Sequence, residues 1–333
     1  MRQPKGFFVT ICLPVFLIAD VGFTQKSPAL PLKAGERGDI LFAAEAPSSE
    51  KDETGKPALA SLEPIAFIVG GQLRECYNFG PANAENAIGK IVLDTLNRAY
   101  APGHRYPLWW RGVPWGEAEA VHSCIDEDLD LTGCFRLHPA APENVVPKEL
   151  NGTAFTGNPP TASHPPLRLK ASLQERTLFL QAAATAFAKK DVRTAPQRIH
   201  LETVWKTQLR AGHTALVSSA LVQMHADKPQ TYRSYRLFLV IEESHGQYEP
   251  VLTRFHKTTL TLDSGADSPK PGEQLDEEKD TDKEVFFDNF PLFAGESDAV
   301  ITRHTYYEDW NFSVYRRNGE SYRLVYTGCG GGA

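Results

Sequence analysis

Two stretches in the second half of the chain repeat one another, and that repeat narrows the possible folds more than any other feature. "TYRSYRLFLVIEESHGQYEPVL" begins at Thr231 and "TYYEDWNFSVYRRNGESYRLVY" at Thr305. Thr-Tyr opens both. Phe238 and Phe312 stand seven residues on, Val240 and Val314 nine on, Tyr248 and Tyr322 seventeen on, and Val251 and Val325 twenty on. The turn glycines, Gly246 and Gly319, differ by one place. A related phrase precedes each copy, "AGHTALV" at Ala211 and "AGESDAVI" at Ala294. A unit copied at this spacing is expected to stack on its twin, as propeller-blade-like units or as a duplicated sandwich.

The second copy also carries the strongest short hairpin signal, Asn318-Gly319, which predicts a two-residue turn with positive φ at both positions. That register pairs Arg317 with Glu320 and Tyr315 with Tyr322, and it sets Phe312 beside Val325. Opposed charges and facing rings contribute roughly 0.2–1 kcal/mol per pair. Because the rings recur at matching places in both copies, core packing explains most of them. Trp310 is different, since Arg236 stands at its place in the first copy. Trp310 and Tyr307 are therefore candidates for an exposed binding platform.

The other aromatic cluster is "RYPLWWRGVPW". Tyr106, Trp109, Trp110 and Trp115 are interleaved there with Arg105 and Arg111. Such rings can stack on a sugar or a peptide. The alternative is that Trp109 and Trp110 point to opposite faces of one strand, each into its own apolar layer.

The amino terminus reads "MRQPKGFFVTICLPVFLIADVGFTQ". Arg2 and Lys5 precede an apolar run of 13 residues, Phe7 to Ala19, which Asp20 ends. A spanning helix needs roughly 20 apolar residues, so the run fits a cleaved signal peptide over 1–24. The expected location is exported, either periplasmic or extracellular, without an integral membrane segment after cleavage. Four cysteines lie beyond that signal, at Cys76, Cys124, Cys134 and Cys329. An even number in an exported chain predicts disulfides. Cys124 and Cys134 close a short loop, which leaves Cys76 for Cys329; free thiols are the alternative.

A formal net charge of −6 provides no basic footprint, so nucleic acid is not an expected partner. Residues 25–61 read as a flexible lead-in, 62–140 as a small α+β domain and 141–167 as a Pro-rich linker. Residues 168–329 read as a repeated β domain and 330–333 as a flexible tail. Helices are expected over 84–99 and 173–190, where apolar residues recur at helical spacing. The fold class is mostly β with a few helices (α+β): a small N-terminal α+β unit, then a helix and two repeated β-hairpin units.

No Gly-x-Ser-x-Gly elbow, His-Glu-x-x-His pair or phosphate-cradling glycine loop occurs. The alternation in "EAEAVH" places Glu117 and Glu119 on one strand face and His122 on the other, which is wrong for a shared metal. No catalytic residue is assigned. A triad assembled from distant residues remains the route to enzymatic activity, because triads are recognised by geometry.

The short "AG" phrase, followed by a strand and an aromatic hairpin, resembles degenerate repeats of the FG-GAP/VCBS type. From about Pro64 onward, the "PGHRY" strand, the alanine-rich helix and the paired β units resemble a group of uncharacterised exported bacterial proteins, which implies no activity. Repeats of that type carry a calcium loop of the form Asp-x-Asp-Gly-x-x-Glu. Here the aligned acids are absent from "KTQLRAGHTALV". In "NFPLFAGESDAVI" Glu296 and Asp298 remain without the regular spacing of oxygen ligands. Asp280-x-Asp282-x-Glu284 has suitable spacing but lacks the glycine. Calcium is disfavoured, and neither a metal nor another cofactor is expected. The expected function is a non-catalytic exported envelope protein that binds or scaffolds, with a glycan or an envelope protein as the kind of partner its rings would take. The alternative is a hydrolase acting on cell-wall or extracellular polymer.

Overall fold

The computed structural model describes residues 30–31, 38–46, 58–75, 87–110, 113–123, 132–140, 151–157, 167–225, 231–261, 283–293, 297–305, 310–328 and 330. The amino-terminal apolar run, Cys76, Cys124, Cys329, Tyr307, Asp280 and Asp282 lie outside the described residues. Among the described residues the fold is β-rich, with largely antiparallel sheets and two α-helices.

In the first half, β1 (Leu30–Pro31), β2 (Asp39–Glu45), β3 (Ala60–Val69) and β4 (Gln72–Glu75) precede helix α1 (Ala87–Ala99). Then follow β5 (Arg105–Trp110), β6 (Val113–Ser123), β7 (Gly133–Pro139) and β8 (Asn151–Phe155). The strand order is β1-β4-β3-β2-β8-β5-β6-β7, and β7 pairs back onto β3. Six strands therefore close into an antiparallel barrel, which removes their edges. Closure depends on the length of β3. Its start, Ala60 to Leu62, pairs with β7 and its end, Phe67 to Val69, pairs with β4. Inside, the Phe42 ring lies 5.9 Å from Tyr100, 6.0 Å from Tyr106 and 6.5 Å from Phe135. Val92 and Leu96, one helical turn apart on α1, complete this core. Gly133 is required at its position, because a Cβ there would stand 2.5 Å from the Tyr100 ring.

Two barrel strands fall in stretches that composition assigns to the lead-in and the linker. β2 lies within 25–61 and β8 within 141–167, so the first unit runs from Asp39 to Phe155 rather than over 62–140. Ile40 to Ala44 are all buried, because barrel interior and neighbouring sheet cover both faces of β2. A strand covered on both sides shows no polar alternation to read.

The second half begins with β9 (Arg168–Lys170), helix α2 (Leu173–Ala188) and the short β10 (His200–Leu201). Two antiparallel meanders follow. Meander 1 is β11 (Trp205–Arg210), β12 (His213–His225), β13 (Thr231–Ser244) and β14 (Gln247–Thr261); meander 2 is β15 (Lys283–Phe290), β16 (Ala299–Thr305), β17 (Trp310–Asn318) and β18 (Ser321–Gly328). β9 extends meander 1 beyond β11, and β10 pairs with β12.

A complete capping box starts α2. Ser172 Oγ accepts from the Glu175 amide at 3.3 Å, and Glu175 accepts from the Ser172 amide at 2.8 Å. Phe179, Ala183, Ala186 and Phe187 then form its buried stripe. Ser172→Ala is expected to lower the unfolding free energy by about 1 kcal/mol, read as a shift of the urea midpoint at constant slope.

The layers stack in the order barrel, meander 2, meander 1, α2. Leu216, Leu237, Leu239 and Ile241 of meander 1 face α2, while Ala215, Val217, Phe238, Val240 and Leu252 face meander 2. Val300, Tyr315, Tyr322 and Leu324 of meander 2 meet them. On its other side Ala299, Ile301, Phe312, Val314 and Tyr326 press against Leu41, Ala43, Ile65 and Phe155 on the barrel wall.

The last hairpin has a different register from the one its Asn-Gly dipeptide predicts. Asn318 pairs with Ser321, Arg317 with Tyr322, Tyr315 with Leu324 and Phe312 with Gly328. Gly319 has φ 62° and is the only turn residue with positive φ, as a type II′ turn takes it. In the first hairpin both His245 (φ 52°) and Gly246 (φ 78°) are positive. The shift keeps the sandwich intact: a bulge between Val314 and Tyr315 lets Tyr322 and Leu324 face meander 1 while Tyr326 faces the barrel. Arg317 still reaches Glu320, at 3.3 Å.

Candidate functional site

The space between the meanders changes character along its length. On meander 1, cross-strand register builds successive rows. Val217, Val240 and Leu252 form an apolar row. The next three are Ser219, Phe238 and Arg254, then Leu221, Arg236 and His256, then Gln223, Ser234 and Thr258. All share one face, since side chains two apart on a strand point the same way. Meander 2 answers with Tyr315, then Thr302, then Glu284 and its cross-strand neighbour His304. The interlayer is thus oily in the middle and polar at the end where β12, β14 and β16 finish.

Glu284 anchors that polar end. Its side chain is 2% exposed, yet it carries a carboxylate. Oε1 accepts from Thr302 Oγ1 at 2.8 Å and from the Tyr315 hydroxyl; Oε2 meets His256 Nε2 at 3.1 Å and Arg254 Nε at 3.8 Å. Burial pushes the Glu284 carboxyl up. Hydrogen bonds from His256 and Tyr315 and the Arg254 charge outweigh that and hold it below the usual carboxylate range. Burial, and then the nearby Glu284 charge, push the Tyr315 phenol up, so it donates and stays neutral. The His256 and His304 rings meet edge to face, 4.9 Å apart. Ser219 Oγ donates to the Glu284 main-chain oxygen at 2.5 Å. Arg254 and His256 form the accessible lip, with side chains 35% and 16% exposed.

A second buried carboxylate closes the other end. Glu242 of meander 1 receives Arg210 at 3.1 Å and Arg317 of meander 2 at 2.9 Å. Each meander therefore sends one acid into the bases of the interlayer: Arg317 crosses to Glu242, and Arg254 and His256 cross to Glu284.

Comparison with known proteins adds nothing to this geometry. No family model, no curated protein and no solved structure matches the chain.

The aromatic residues singled out in the sequence do not share one surface. Tyr106 and Trp115 are buried in the barrel core, where the Tyr106 hydroxyl donates to Ala99 O at 2.7 Å, and the partly buried Trp110 packs against that core. Trp109 leaves the same strand on the opposite side and meets Phe290 edge to face at 5.0 Å. Trp310 is half-buried where meander 2 meets the barrel; it donates to Glu63 at 2.5 Å and lies 5.3 Å beneath the Arg303 guanidinium. Of the acids weighed for calcium, Asp298 accepts from Asn289 Nδ2 at 2.7 Å. Glu284 is the residue whose position the sequence did not foretell. The signal was the run of Arg254, His256 and Thr258 two apart on an otherwise apolar strand face. Among the described residues, no three of His, Cys, Asp and Glu are grouped so as to hold a metal ion. No helix among them is long and apolar enough to cross a membrane.

Proposed function

We propose that the chain is an exported protein that binds or scaffolds and does not catalyse a reaction, in the periplasm or outside the cell. One observation carries this reading. Among the described residues, the carboxylate–imidazole pair that most resembles catalytic machinery, Glu284 with His256, has no nucleophile directed at it. The neighbouring Ser219 hydroxyl donates to a main-chain carbonyl, and the carboxylate is also held by Thr302 and Tyr315. Such a network fixes two layers against each other.

Export is supported by the amino-terminal run and by Cys134. We read its sulfur as half of a disulfide, which an oxidising compartment would favour. We pair it with Cys124 across their short loop. The two meanders are read as copies of one ancestral unit of the FG-GAP/VCBS kind. Their bulges support this: Val240–Ile241 and Val314–Tyr315 are the same aligned positions. So do Ser244–Gln247 and Asn318–Ser321, which close the two turns at matching places.

The test is a thermal-shift panel of the chain lacking residues 1–24 against glycans, peptides and divalent ions. A ligand at 100 times its Kd is expected to stabilise the fold by about 2.7 kcal/mol. Turnover of a cell-wall or extracellular polymer that His256→Ala abolishes would overturn the non-catalytic reading. The 3.1 Å pairing of His256 with a buried, ionised Glu284 is what favours the hydrolase alternative.

A further inference from the structure

We propose that the polar end of the interlayer binds an oxyanion, a phosphate, sulfate or carboxylate group, between Arg254 and His256, with the rest of the ligand running along β14 toward Thr258. The inference rests on the binding reading above and assigns a ligand class to its site. Arg254, His256 and Thr258 occupy alternate positions of one strand, so they line a single face at about 6.6 Å intervals. The first interval suits the width of one oxyanion gripped from both sides.

The donors are present and not fully used. Arg254 comes no closer than 3.8 Å to Glu284, and its Nε is buried with no hydrogen-bond partner among the described residues. Its guanidinium also rests 6.0 Å over the Tyr315 ring, which orients the group without taking a donor. His256 spends Nε2 on Glu284, which leaves Nδ1 as its second ring nitrogen. Thr258 Oγ1 is buried with no partner among the described residues. The same holds for the hydroxyl of Tyr232, a buried residue on the same sheet face beyond Arg236 and Ser234. Buried polar atoms of a folded protein almost always have a partner. Several without one, beside a partly exposed arginine, mark a place made for a polar ligand. Glu284 does not forbid an anion, because Thr302, Tyr315 and His256 already hold its charge. A guanidinium fork matches a tetrahedral or planar oxyanion and is the group suited to it.

The experiment uses the same chain lacking residues 1–24, titrated with inorganic phosphate, sulfate and acetate in separate arms, with ionic strength held constant by chloride. Thermal midpoint and calorimetric titration are the readouts. At least one arm is expected to raise the midpoint above the chloride control. Arg254→Gln should weaken that binding tenfold or more, and Arg254→Lys should weaken it less. Thr258→Val serves as a second variant in case Arg254→Gln fails to fold; it should reduce affinity for a larger phosphorylated or carboxylated ligand, such as a sugar phosphate, more than for the bare ion. No midpoint rise in any arm, or an Arg254→Gln protein that binds like the wild type, overturns the inference. If glycans or peptides bind while all three oxyanions fail, the binding reading stands and this ligand class falls.

Discussion

Replacing Glu284 by alanine is expected to remove about 3–5 kcal/mol of stability, the range for breaking a buried ion pair by deleting one partner. The substitution strands His256, Thr302 and the Tyr315 hydroxyl in a space from which water is largely excluded, and it takes away the one acid beside Arg254 among the described residues. A domain is stable by only about 5–15 kcal/mol, so about a fifth or more of the margin goes. The effect also has a pH signature. The folded carboxyl titrates below its ordinary range, so its contribution is fully present above the unfolded value of about 4.3 and is lost as pH falls through the folded value. Urea midpoints at pH 7 should drop for Glu284→Ala. Between pH 5 and 3 the wild type should lose stability faster than Glu284→Gln, which has nothing to titrate at that site. An alanine variant with an unchanged midpoint at pH 7 would mean that the clasp is not holding the layers.

Phe42→Ala is expected to cost about 3–5 kcal/mol through the first layer instead of the interlayer. The ring touches Tyr100, Tyr106 and Phe135, drawn from α1's end, β5 and β7, so its loss leaves a cavity at the point where the barrel closes on itself. A barrel cannot collapse onto such a hole without changing its strand register, which puts the value in the upper part of the range. The check is equilibrium denaturation followed by tryptophan fluorescence. A loss under 1 kcal/mol would show that the three remaining rings can close the gap.

The sequence revealed more of the fold where strands have one dry and one wet side, and less where both sides are covered. α2 and the hairpin of β13 and β14 announce themselves through period and turn glycine. β2 is silent, because Ile40 to Ala44 are buried on both faces and two of them are alanines with weak strand preference. Asn318-Gly319 is a strong local signal that lost to tertiary demand, since the bulge at Val314 and Tyr315 had to serve two unlike interfaces. The candidate site was hidden for a different reason. Glu284 sits 28 and 30 residues from His256 and Arg254, and only the antiparallel stacking of two sheets brings them together. The aromatic clusters drew attention because rings are conspicuous, yet Tyr106 and Trp115 fill the barrel and Trp110 packs against its core.

The meanders lie front to back, not front to front. Phe238 and Val240 look out from the same side of their sheet as Phe312 and Val314 do from theirs, each toward the next layer along. A pile assembled in this way has no last member of its own, because every front calls for another back. Here the barrel wall and α2 act as the two bookends. Removing α2 alone would bare Leu216, Leu237, Leu239 and Ile241 and leave a surface suited to receive a further sheet.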